Sequence, residues 1–274
     1  MDCSGVLRVN NVNSTICLHK DGDIISDSIR RAHSWDIHTC MVASKLAKRG
    51  VVWDIGANIG SISLCMLLAS SRVSVTSIEA APWNFQLLNA TRMHEDNIHR
   101  DWNVIHAALD NSTGRQLEFI GAKDNYGGTT AVNPSYHPHR SRGWGKNPSK
   151  KIRMSTTSLD TLMQNRCANV VKLDVEGFEG FVLDGFRTHL KDASLRPCHI
   201  VMEWHLILLN AAGAGRTIKN NALRTEKFLH DMGYYTSSDT ARSHESVVWS
   251  RVASDVECCE DNWRFVESVM LSKA

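Results

Sequence analysis

Six polar side chains in this 274-residue chain stand directly behind short apolar runs: Asp54, Glu79, Asp174, Glu176, Glu203 and His205. Carboxylates and an imidazole in such places can take a proton from a hydroxyl, hold a ribose or ligate a cation. Asp54 belongs to "VVWDIGANIG", in which Gly56 and Gly60 flank Asn58 at the end of an apolar strand. Glycines there imply that the backbone itself must approach something closely. The spacing is G-x-N-x-G, so the G-x-G-x-x-G fingerprint that seats a pyrophosphate on a helix N-terminus is missing. A nicotinamide dinucleotide is disfavoured.

A ligand without phosphate suits the stretch better. Asp54 and Asn58 can meet its ammonium and carboxylate, with bare backbone beside its thioether. Glu79 closes the next apolar run, where a carboxylate can accept both hydroxyls of a ribose. Together these features suit S-adenosylmethionine. Methyl transfer from a sulfonium requires alignment of the acceptor and exclusion of water. A hydroxyl acceptor also requires a base or a cation. Asp174 is the first candidate for the base, Glu176 shares its phase in an extended strand, and His205 shares a face with Glu203. Glu179 falls in the first turn of a following helix, and Lys172 is placed to neutralise a carboxylate. Asp174 with Glu203 is also a candidate pair for Mg²⁺, which takes few carboxylates and several waters.

These residues need a scaffold that brings strand ends together. Apolar runs at 51–56, 72–80, 103–109, 169–177 and 198–205 alternate with helical patterns, which implies βαβ units and a parallel sheet covered on both faces. Ahead of them come a β-like segment near 6–18 and one helix near 29–48. A helix near 219–232 and two late strands, "GYYTSS" and "SVVWSR", make an antiparallel finish. Residues 1–48 are expected to pack on a core domain of residues 49–274. Between "RQLEFI" and the fourth parallel strand, residues 121–153 are rich in Gly, Pro, Ser and His, and read as a substrate-loop insertion. Tyr126, Tyr136 and Trp144 offer faces for a sugar ring. Arg140, Arg142, Lys146, Lys150, Lys151 and Arg153 would suit an acceptor carrying phosphate.

"VVWDIGANIGSISL", "SIEAAPWNFQLLNAT", "TSLDTL", "VVKLDVEGFEGFVLDGF" and "IVMEWH", in this order, resemble the FkbM family of S-adenosylmethionine-dependent methyltransferases over about residues 35 to 210. The resemblance implies an α/β, Rossmann-like class I methyltransferase fold. Its sheet would have seven strands, mostly parallel, with an antiparallel last strand and helices on both faces. The expected cofactor contacts are Asp54, Gly56, Ala57, Asn58, Gly60, Glu79, Ala80 and Ala108, and the expected catalytic residues are Asp174, Glu176 and His205. The family usually has Glu-Pro after the second strand; this chain reads Glu79-Ala80-Ala81-Pro82. O-methylation of a sugar, glycan or natural-product hydroxyl is the implied activity.

The net charge of +2 gives no broad basic surface, which argues against RNA ribose 2′-O-methylation and against DNA as a partner. An inactive cofactor-binding fold serving as an interaction module is opposed by the retained acids. No apolar run is long enough to span a bilayer, and residues 1 to 30 do not read as a signal peptide. None of the eight cysteines forms C-x-x-C, so zinc is not expected, and free thiols in the cytoplasm are the expectation. Sequons at Asn13, Asn89 and Asn111 would matter only in a secretory lumen.

Overall fold

The computed structural model describes residues 2–20, 22–122, 125–132, 148–204, 219–236 and 246–251. The chain opens with an antiparallel hairpin of β1 (Asp2–Val9) and β2 (Val12–Leu18). Asn10 and Asn11 turn it with φ of 48° and 67°, values that asparagine tolerates better than most residues. Two helices follow, α1 (Ile24–Ala32) and α2 (Ile37–Ala47), where the sequence suggested one. His33 adopts a left-handed φ of 56° and stops the first. Asp36 starts the second by accepting the Thr39 N–H at 3.2 Å. Asp23 caps α1 in the same way, through Ser26 N–H at 2.9 Å. Leu7, Ile16, Leu18 and Ile29 share one buried cluster with Leu64 and Leu88, so the N-terminal elements and the following domain have a common core.

After β3 (Val51–Ile55), α3 (Ser61–Ala69) leads to β4 (Ser74–Glu79), and α4 (Pro82–Met93) leads to β5 (Trp102–His106). Next come β6 (Ala108–Leu109), β7 (Gln116–Ala122), β8 (Asn125–Val132), β9 (Pro148–Thr157) and the short helix α5 (Leu159–Met163). The chain continues through β10 (Val170–Leu173), α6 (Glu179–Asp184), α7 (Arg187–Lys191), β11 (His199–Glu203), α8 (Lys219–Asp231), β12 (Tyr234–Tyr235) and β13 (Ser246–Arg251).

The main sheet has seven strands in the order β12-β13-β11-β10-β3-β4-β5. Strands β11, β10, β3, β4 and β5 are parallel, and β13 runs antiparallel to both of its neighbours. Alternate residues of one strand go to opposite faces: Val52 and Val170 join the cluster that contains α3, while Trp53 and Val171 join the one that contains α6 and α7. Burial on both faces explains why these strands read as continuous apolar runs.

A second sheet, in the order β6-β9-β7-β8, stands beside the first. It corrects the reading of 121–153 as a loop, because both described ends of that segment are strands. The period-two signal is present in the sequence: Lys151 and Arg153 are exposed, while Ile152 and Met154 are partly buried against Leu117 and Phe119. Residues 133–147, with Tyr136, Trp144, Arg140, Arg142 and Lys146, lie outside the described residues.

Candidate active site

Strand order reverses at β3, which has β4 on one side and β10 on the other; this is where parallel sheets open a crevice for ligands. The glycines after β3 serve that junction by letting the chain touch itself. Gly56 has φ of +73°, and a Cβ there would lie 1.7 Å from the carbonyl oxygen of Asp174, at the end of β10. Gly60 has φ of +87°, and its Cβ would meet Leu88 at 2.7 Å and Trp102 at 3.0 Å. Gly60 therefore closes the core beneath α3, and it does not line the cavity, whereas Gly56, Ala57 and Asn58 do.

Asp54 is wholly buried under the loop. It pairs with Lys172, its register partner on β10, at 3.1 Å, and accepts the Ser63 hydroxyl. Ser63 in turn meets Ser77, which accepts the Trp102 indole N–H at 2.7 Å. Lys172 also reaches Asp174 at 3.3 Å and donates to the Gly56 carbonyl at 3.2 Å. Burial alone would lower the Lys172 ammonium; Asp54 and Asp174 outweigh it and raise it above its ordinary value. Asp54 and Lys172 thus lock β3 to β10 from below the site.

Glu79, at the end of β4, is buried and lines the cavity. One carboxylate oxygen accepts the Asn58 N–H at 2.9 Å and the other accepts the Ala81 N–H at 2.8 Å. Two alanines before Pro82 give the chain room to bend back to Glu79, and Pro82 then begins α4. Burial pushes the Glu79 carboxyl up to about 7 against those two N–H groups. Ala80 lines the cavity. Ala108 does not: its side chain packs with Leu117, Phe119 and Phe178, and the neighbouring Ala107 and Leu109 face the space instead.

At the ends of β10 and β11 four carboxyls crowd together. Asp174, Glu179 and Glu203 present oxygen atoms within 4.8 Å of one another. Glu176 follows in a left-handed turn, φ 56°, and Asp174, Glu176 and Glu203 all line the cavity. Burial, reinforced by the Asp174 and Glu179 charges, pushes Glu203 up to about 9; a hydrogen bond to Asp174 acts in the same direction. Burial and the neighbouring acids raise Glu176 well above the usual carboxylate range. Glu179 sits at the first position of α6, as expected, but its side chain folds back. Its Oε1 accepts the N–H groups of Val175 and Gly177 at 2.9 and 3.2 Å, while its Oε2 is buried without a hydrogen-bond partner among the described residues. Burial brings Glu179 to about 7. His205 lies outside the described residues.

The cavity measures about 620 Å³, within the range of small-molecule sites. Of its outer walls the sequence pointed to the one from residues 121–153 and missed the one from the N-terminal helices. Trp35, Asp36, His38 and Thr39 come from the start of α2 and the turn before it, and Asn125, Gly127, Gly128, Thr129 and Ala131 come from β8. Strand β8 is pinned rather than hinged. Asn84 donates to the Tyr126 carbonyl at 3.0 Å, Gly127 N–H reaches Asp23 at 3.3 Å, and Thr130 donates to the Glu176 carbonyl at 3.1 Å. A Cβ at Gly127 would press on Ile25 and Asn58, so that glycine allows close packing of the wall. Tyr126 packs at a tilt against the His19 ring and lies under Lys150, away from the cavity. Lys151 and Arg153 face Glu118, each at 3.7 Å. Among the described residues, the basic side chains expected to hold a phosphate therefore do not line the site.

The description "Methyltransferase FkbM domain" matches residues 54–235, two thirds of the chain. The chain belongs to the FkbM methyltransferase family. It is an S-adenosylmethionine-dependent methyltransferase with a Rossmann-like α/β fold. Among solved structures it is similar to precorrin-6y C5,15-methyltransferase from Geobacter metallireducens GS-15, with 13% identity and a TM-score of 0.42 over 86% of this chain and 94% of that one. A methyltransferase from Geobacter sulfurreducens gives 12% and 0.41, over 82% and 83%. The fibrillarin pre-rRNA processing protein of Methanococcus jannaschii gives 9% and 0.41, over 91% and 83%. A search of curated proteins returned no match.

Proposed function

We propose that this FkbM methyltransferase transfers the S-adenosylmethionine methyl group to a hydroxyl of a neutral, polyhydroxylated acceptor such as a sugar or glycan. The observation that carries this reading is the acid-lined cavity. Asp36, Glu79, Asp174, Glu176 and Glu203 face it, and Lys172, its one lysine among the described residues, is committed to Asp54 and Asp174. Such a wall accepts hydrogen bonds from hydroxyls, and among the described residues it offers no uncommitted lysine or arginine to hold a phosphate. A phosphate-bearing acceptor and RNA are correspondingly disfavoured.

In this reading Glu79 accepts the ribose hydroxyls on the lone pairs that its two backbone N–H partners leave free, and Ala57, Asn58 and Ala80 lie along the nucleoside. Asp174 accepts the acceptor's proton as its oxygen attacks the methyl carbon and the sulfonium leaves as a thioether. Glu203, pushed up to about 9, is protonated at neutral pH and hydrogen-bonded to Asp174. Trp35 supplies a flat apolar face for a sugar ring.

A second version of the same chemistry has support from Glu179, whose unpartnered oxygen joins Asp174 and Glu203 in a group able to hold Mg²⁺. The cation would then acidify the hydroxyl. Asp174→Asn is expected to keep cofactor binding and lose turnover by at least about a hundredfold, the usual contribution of a base. Methyl transfer from labelled cofactor to a glycan mixture, followed by mass spectrometry, measures it. Chelator abolishes turnover only if the cation version holds. Near-normal turnover of the variant removes Asp174 from both.

A further inference from the structure

We infer that the protein matures in an oxidising compartment and carries N-linked glycans at Asn13, Asn89 and Asn111. Two independent observations meet here, and neither depends on the identity of the methyl acceptor.

The first is the state of the cysteines, which corrects the expectation of free thiols. Cys3 is bonded to Cys17 within the N-terminal hairpin, and Cys40 to Cys65 between α2 and α3. Cys167 and Cys198 are disulfide-bonded as well. No free cysteine is present among the described residues. Adjacent thiols can pair by chance once or twice in a reducing cell. Full pairing of six cysteines from five separate places in the fold is the pattern of chains that fold where disulfides persist.

The second is where the fold puts the three N-x-T triplets. All three asparagines are exposed, and none lines the cavity. Asn13 lies one residue into β2, beside the hairpin turn, with its Oδ1 accepting from Arg8 Nε at 3.0 Å. Asn89 sits on the outer face of α4, between the buried Leu88 and Thr91, so a glycan there would point away from the core. Asn111 lies in the turn between β6 and β7. Among the described residues no hydrogen bond engages the side chain of Asn89 or Asn111. The threonines have work in the fold, since Thr91 accepts the Cys17 N–H and Thr113 accepts the Ser158 N–H. The fold accounts for those threonines, but it gives the asparagines at 89 and 111 no role. Bulky sugars at all three positions would leave the cavity free.

The test uses the full chain isolated from the cells that make it. Half is alkylated under denaturing conditions without reductant. The other half is released from N-glycans by the amidase PNGase F in ¹⁸O-water, and both are read by peptide mass spectrometry. The expected result is isotopically labelled aspartate at 13, 89 and 111, with no alkylation at Cys3, Cys17, Cys40, Cys65, Cys167 or Cys198. Unlabelled asparagine at a position removes that site, and at all three it overturns the glycan assignment. Alkylation of those six cysteines without reductant overturns the oxidising compartment.

Discussion

Glu79 shows how a residue's type, place and neighbours combine. Its position after an apolar run marked it as a ribose ligand in the sequence, and the structure adds that both oxygens already hold the loop. Asp54 went the other way. It reads as a cofactor contact but lies buried beneath the loop, paired with Lys172, because the register of β3 and β10 sets the two side by side. That pairing depends on strand order, which no local pattern carries. The buried acids also make stability depend on pH, with a definite sign. Glu79 and Glu179 titrate near 7 and Glu203 near 9 in the folded chain, against 4.5 for a free glutamate. The folded state thus holds more protons, and stability falls as pH rises from about 4.5 through 7 and on toward 9. Of the roughly 3 kcal/mol lost by each of Glu79 and Glu179 over that whole range, about 1.4 kcal/mol falls between pH 6 and pH 8. Urea unfolding of the cofactor-free protein at pH 6 and pH 8 measures it; equal midpoints would mean that these carboxyls are solvated.

At the scale of elements, the parallel strands and their helices were legible because each is long, apolar and periodic. The break between α1 and α2 was not, since it rests on capping by Asp36 and a left-handed His33 in an otherwise helical stretch. Nor was the sheet within 121–153, where glycines and prolines in the composition masked the alternation in β9. The start of α2 forms part of the cavity wall, and the Cys40–Cys65 bond ties that helix to α3, directly behind the glycine loop. Cross-linking residues 25 apart stabilises by roughly 3 kcal/mol through loss of freedom in the unfolded chain. The double variant Cys40→Ser, Cys65→Ser should therefore lose about that much in calorimetric unfolding and bind cofactor more weakly. An unchanged transition would mean the bond does not form in solution.

Over the whole molecule, the near-neutral net charge conceals a strongly polarised interior. The acids gather at one edge of the sheet, where β3, β4, β10 and β11 end together, while described basic residues such as Lys151 and Arg153 face outward. Sequence order placed those acids at strand ends, and only the folded chain shows them sharing one cavity closed by the N-terminal turn and β8. The account stands on that cavity binding the cofactor through Glu79. Ribose hydroxyls donate to the ionised carboxylate, so with Glu79 near 7 affinity should rise about tenfold between pH 6 and pH 8. Calorimetric titration of S-adenosylhomocysteine at both pH values, into the wild type and Glu79→Gln, is the direct measurement. The account predicts that rise in the wild type, and in the variant an affinity at least about tenfold lower with no dependence on pH, as expected when a charge-assisted hydrogen bond is lost. Equal affinity in the two proteins at both pH values would contradict it.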